Sequence, residues 1–168
     1  MRKEKGFSLI ELLIVVAIIL IIAAIAVPNL LRSRMAANES SAAASLRTID
    51  TANVTYSSTY NVGYAGSLTA LAPSTAPTSV AADLLDSVLS ASAPVKSGYS
   101  FQYIASNSTP STSSPNPSFS TSATPVGPAS SGTSTFCSDQ TNVVGRNTTG
   151  SATGASGTGC NFTTTAPL

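Results

Sequence analysis

The chain has 168 residues, 42% of them hydrophobic and only 9% charged, with a net charge of +1. That charged share is far below the roughly 25% usual for soluble domains, and near-neutrality gives no electrostatic reason to expect a nucleic acid as partner. Histidine is absent, which removes the commonest general base and metal ligand.

In chain order, residues 1–6, MRKEKG, are short and basic. Residues 7–31 are strongly apolar, and Glu11 is the one charged residue among them. From Leu12 to Leu31 no residue is charged. As a helix this run would span about 30 Å, the thickness of a bilayer core. Arg2, Lys3 and Lys5 ahead of it favour a cytoplasmic N-terminus, and Arg32 and Arg34 behind it weaken that bias. Pro28 lacks an N–H and crowds the carbonyl of Ala24, so a kink is expected there.

The helical pattern continues beyond the proline. Met35, Ala42, Leu46, Ile49 and Tyr56 share one face of a 3.6-residue helix. Arg34, Glu39, Arg47 and Asp50 fall mostly on other faces. The expectation is one helix from about residue 7 to residue 60, with residues 32–60 as its amphipathic continuation and Gly63 as its end. Fully helical, it would be about 80 Å long. That is too long to fit inside a globule of this size, so about half of it should project.

Residues 61–168 read as a small α+β unit rich in Ser, Thr, Gly, Asn and Pro. Ser79 is positioned to cap a short helix, VAADLLDSVLSA. GYSFQYIA alternates large apolar and small polar residues and predicts a strand. SFSTSA and STFCSDQ predict two more, and NVVGR a short fourth. Strands linked by turns predict an antiparallel sheet packed on the amphipathic half of the long helix. The fold class is therefore α+β. Cys137 and Cys160 form no CxxC pair and have no histidine to complete a zinc site, so they read as one disulfide of an exported protein. Closing the loop between them stabilises a small polar domain by about 3 kcal/mol in the chain-entropy model.

A basic stretch followed by an apolar one also describes an ordinary secretory signal, and Ala24-Ile25-Ala26 offers an A-x-A cut that would leave Val27 first. That reading makes the chain a secreted or membrane-anchored adhesin that does not polymerise. Three features oppose it. The apolar run exceeds the usual 7–15 or so residues of a signal core. A carboxylate at its head carries an insertion cost, up to about 3 kcal/mol at mid-membrane and less near an interface. The helical pattern also crosses the supposed cut without a break.

The stretch Lys5-Gly6-Phe7-Ser8-Leu9-Ile10-Glu11-Leu12-Leu13 resembles the processing site of type IV prepilins and type II secretion pseudopilins. The resemblance is close over residues 1–35, including Pro28. Beyond them it rests on the general layout, the FCSDQTNVVGR segment and the cysteine pair. It implies a pilin-like fold and a prepilin peptidase that cuts after Gly6 on the cytoplasmic side and methylates Phe7. It also implies a subunit that polymerises with itself through residues 7–31, drawn from the inner membrane by an assembly machine. The cut removes Arg2, Lys3, Lys5 and Glu4, taking the side-chain net charge from +1 to −1, and frees an ammonium at Phe7. The pair of Glu11 with the Phe7 amine of an adjacent subunit is what the resemblance implies; its logic is register, since one polar pair fixes the offset of apolar helices that otherwise slide. Pairing within one chain, or with the helix macrodipole alone, is the simpler alternative. A surface pilus and a periplasmic pseudopilus both fit, and the Ser/Thr-rich loops favour the pilus.

Smaller signals carry less. Tyr56, Tyr60 and Tyr64 are four apart and are expected to pack the helix end on the sheet. Asn38, Asn53, Asn107, Asn147 and Asn161 begin N-x-S/T sequons, which arise by chance in such a composition, so no site is assigned. Asp83, Asp86 and Asp139 are scattered and lack a calcium-loop pattern. No catalytic constellation, metal site or cofactor site is expected.

Overall fold

A computed structural model describes residues 7–148, 160 and 166–168. The leader, residues 1–6, lies outside the described residues. The chain divides into two compact units, one ending at Arg34 and the other beginning at Met35. A single helix, α1 (Leu9–Tyr60), runs through both, with Pro28 inside it. In the first unit α1 carries large apolar side chains on every side, and those from Leu9 to Leu31 are exposed. By length and composition it can cross a membrane.

In the second unit α1 has one buried stripe. Ala42, Leu46, Ile49 and Tyr56 are buried as the spacing predicts, and Met35 is half-buried. They join Leu68, Leu71, Leu85, Leu89, Tyr99, Phe101, Ala123 and Phe136 in one hydrophobic cluster. The helix ends at Tyr60, three residues before Gly63. Asn61 adopts the left-handed conformation (φ 53°) and its N–H bonds the Ser57 carbonyl, a polar residue doing the work usually given to glycine after a helix. Gly63 (φ +78°) serves another need: a Cβ there would collide with the backbone of Asn116, which bridges to it.

The sheet is a six-stranded antiparallel meander: β1 (Val95–Lys96), β2 (Tyr99–Ala105), β3 (Phe119–Pro125), β4 (Thr135–Asp139), β5 (Gly145–Asn147) and β6 (Ala166–Pro167), in that order. The longest pairing sets Tyr99 opposite Pro125 and Ala105 opposite Phe119. Alternation along β2 sends Tyr99 and Phe101 into the core. The expected NVVGR strand starts later, at Gly145, and β1 and β6 were too short to carry a sequence signal.

One expected element is absent. Residues 79–91 form turns, not a helix. The N–H groups of Ala82, Asp83, Leu84 and Leu85 bond the carbonyls of Ala70, Ala72 and Leu71 instead of carbonyls four residues back. Those acceptors belong to or follow a short 3₁₀ turn at Leu68–Leu71. Asp83 has a positive φ of 55°, which ends any helix. Asp86 then binds the N–H groups of Val88 and Leu89 through one carboxyl oxygen. The apolar residues are still buried at Leu85 and Leu89, so the pattern located the core contact and misjudged the backbone.

Candidate assembly site

At the head of α1, Ser8 precedes the first helical residue and Glu11 stands three residues on. The Glu11 Oε2 accepts a hydrogen bond from the Ser8 N–H at 2.9 Å. This is the returning half of a capping box, in which the N3 carboxylate satisfies an amide that the helix leaves without a partner. Sequence reasoning missed this cap, although the Ser-x-x-Glu spacing at Ser8–Glu11 signals it. Glu11 also sits where the helix dipole favours negative charge.

Phe7 is 78% exposed, and the side chains of Leu9–Leu31 form an apolar surface around the helix. Among the described residues, Glu11 is the only ionisable group on that segment. Pro28 lies within continuous helix and withholds the N–H that would bond Ala24.

Polar groups in the second unit hold α1 to the sheet. Glu39 accepts hydrogen bonds from the Thr133 N–H, the Thr133 hydroxyl and the Ser134 N–H, at 3.0 to 3.1 Å. Its other oxygen pairs with Arg146 at 3.0 Å. Burial opposes ionisation of Glu39, but these four donors outweigh it and hold its carboxyl below the ordinary range. Asn53 is fully buried: it donates to the Ile49 carbonyl and accepts from the Ala65 N–H. The Tyr103 hydroxyl lies 2.9 Å from Asn53 Oδ1 and 2.7 Å from the Ala65 carbonyl, so its one proton serves one acceptor at a time.

Asp50 departs from expectation. It is only 3% exposed. One carboxyl oxygen accepts the Ser138 hydroxyl at 2.7 Å, and Oδ2 has no partner. Burial pushes its pKa up to about 7; the Ser138 bond opposes the rise and the charge of Asp139 adds to it.

The aromatic and acidic residues singled out in the sequence have local tasks. Tyr56 is buried, donates to the Ser79 carbonyl and meets Tyr60 at 4.9 Å between ring centres. Tyr64 sits edge-on to Phe119. Asp83 accepts the Ser74 N–H, and Asp86 pairs with Lys96 at 2.9 Å. Asp139 holds Thr141 and the Cys160 N–H. Cys137 on β4 is bonded to Cys160, their Cα atoms 5.9 Å apart. The Asn38, Asn53 and Asn107 amides donate to backbone carbonyls, Asn147 is buried, and Asn161 lies outside the described residues.

The family description "Prokaryotic N-terminal methylation motif" matches residues 1–27. The chain is 64% identical over 39 residues to the type IV wide pilus major component PilA4 of Thermus thermophilus, covering 23% of this chain and 30% of that one. It is 44% identical over 54 residues to the type IV major pilin protein PilA of Myxococcus xanthus, covering 32% of this chain and 24% of that one. The chain thus spans less than a third of the length of either relative. No solved structure matches. The chain thus carries the prokaryotic N-terminal methylation motif at residues 1–27 and is similar, over 39 and 54 residues, to two type IV pilins.

Proposed function

We propose that this protein is a type IV pilus subunit that polymerises through residues 7–31. A peptidase removes residues 1–6 after Gly6 and Phe7 is N-methylated. Glu11 then meets the Phe7 ammonium of the neighbouring copy. Residues 32–60 and 61–168 carry the filament's outer layer, with the inner membrane as the store of subunits before assembly.

The observation that carries this reading is an exposed, all-apolar helical surface with a single carboxylate at its head. Such a surface is stable in lipid and in a bundle of like helices, and transfer between the two changes apolar burial little. In the precursor the Glu11 oxygen is occupied by the Ser8 N–H, and cutting after Gly6 would place a full positive charge one residue nearer the terminus. Identical head-to-tail contacts that do not close generate an open helical polymer. Glu11→Ala should be processed and inserted like the wild type yet yield no ordered filaments by electron microscopy. Normal filaments from that variant would refute the role of Glu11. Mass spectrometry of the mature subunit should find methylated Phe7 at its start. A chain starting at Val27 would favour the ordinary signal peptide and a non-polymerising adhesin.

A further inference from the structure

The Asp50 Oδ2 is buried without a hydrogen-bond partner, and most groups around it are already committed. Ser138 on β4 donates to the other carboxyl oxygen. Asp139, at the end of β4, adds like charge. The Tyr103 hydroxyl on β2 serves Asn53 or the Ala65 carbonyl. Thr51 donates to the Arg47 carbonyl. Arg146 on β5 is held by Glu39 and Ser134, and Lys96 by Asp86. A carboxylate that is buried and half-satisfied is costly when ionised, so its charged form calls for one more donor.

Arg47 of the same chain is the cation in reach. It is exposed, and among the described residues its guanidinium makes no ion pair or hydrogen bond, whereas Arg146 and Lys96 each have a carboxylate. It precedes Asp50 by three residues on α1, a spacing that sets side chains side by side with Cβ atoms about 5–6 Å apart. Arg47 and Asp50 line one cleft of about 400 Å³, with Thr51, Val54 and Asn142. Arg47 also lines a second groove of about 470 Å³, with Glu39, Phe136 and Arg146. In that groove the carboxylate is already taken by Arg146, so Arg47 meets like charge there. At the cleft a carboxylate oxygen lacks a partner. We infer that Arg47 is a latch with two positions: exposed while Asp50 is protonated, and folded onto Asp50 Oδ2 of its own chain once Asp50 ionises. The structure holds the open position. Arginine stays charged throughout, so the proton on Asp50 decides which position is favoured. Burial sets the titration of Asp50 at about 7 with the latch open, and pairing draws it lower.

The test uses the full-length chain in detergent and needs no polymer. Titration of the Asp50 carboxyl carbon by NMR gives its midpoint directly. Arg47→Gln keeps much of the stem and removes the charge; it should raise that midpoint by about one pH unit, a tenfold change in ionisation. Arg47→Lys should stay near the wild-type value. Arg34→Gln, in the first unit, controls for net charge and should leave the midpoint in place, as should Asn142→Ala, which removes the neutral donor lining the cleft. In chemical denaturation Arg47→Gln should match the wild type at pH 5, where the latch is open, and fall below it at pH 8. An Asp50 midpoint unmoved by Arg47→Gln, or moved equally by Arg34→Gln, would overturn the latch. A midpoint raised by Asn142→Ala and not by Arg47→Gln would assign the missing donor to the amide and overturn it as well. Equal loss of stability at both pH values would make Arg47 a packing residue and contradict the switch.

Discussion

Glu11 and Asp50 are both carboxylates on α1, and their surroundings assign them different tasks. Glu11 caps the helix that holds it. Asp50 is buried against Ser138, with Asp139 close enough to add its charge. Among the groups facing Asp50, the Ser138 hydroxyl is a donor, Asp139 is anionic, and Tyr103 stays neutral because burial pushes its hydroxyl up. The sign of the pH effect follows. A carboxyl that titrates near 7 when folded and near 3.8 when unfolded binds more protons folded between those values. Its contribution is therefore complete below pH 3.8 and lost as pH rises through 7. The loss is at most about 4 kcal/mol by linkage. Asp50→Asn should flatten this slope and make the unassembled, detergent-solubilised chain more stable than wild type at pH 8, measured by chemical denaturation. An unchanged slope would show that Asp50 ionises freely. The sequence misplaced Asp50 because periodicity ranks helix faces by apolar residues, and this one flanks the apolar stripe at Leu46 and Ile49. Its burial depends on where β4 runs, which no local pattern encodes.

At the scale of elements, long periodic segments were legible and short irregular ones were not. The 52-residue helix was readable because dozens of residues repeat one preference. Strands β2, β3 and β4 followed from alternation and from turn-rich links. Residues 79–91 failed because their amides are claimed by carbonyls at Ala70–Ala72, a tertiary contact that overrides local helical pattern. Asn116 shows the same kind of dependence. It is fully buried; its amide donates to the Ala65 carbonyl and its oxygen accepts from Ser106 and Asn107. Its backbone bonds both Val62 and Tyr64. Nothing adjacent in sequence marks it. Asn116→Ala leaves several buried groups unsatisfied and should destabilise the second unit by about 1–3 kcal/mol, seen as a lower denaturation midpoint. Leu46→Ala, which empties a core position on α1, should cost about 2–5 kcal/mol. Equal midpoints for these variants and wild type would contradict the packing described.

At the scale of the whole molecule, one helix runs from an apolar segment long enough to cross a membrane into a folded α+β unit. The likeness to pilins is concentrated in short matches, so the folded unit beyond them must be argued from its own residues. Reducing the Cys137–Cys160 bond should lower the stability of that unit by about 3 kcal/mol in the chain-entropy model, measurable as a fall in Tm. The central claim is that Glu11 sets the stagger between copies, and a high-resolution map of filaments assembled from the mature chain tests it most directly. The account predicts a methylated Phe7 amine within ion-pairing distance of Glu11 from an adjacent copy. A map in which Glu11 bonds only within its own helix, with the Phe7 amine of every neighbour elsewhere, would contradict it.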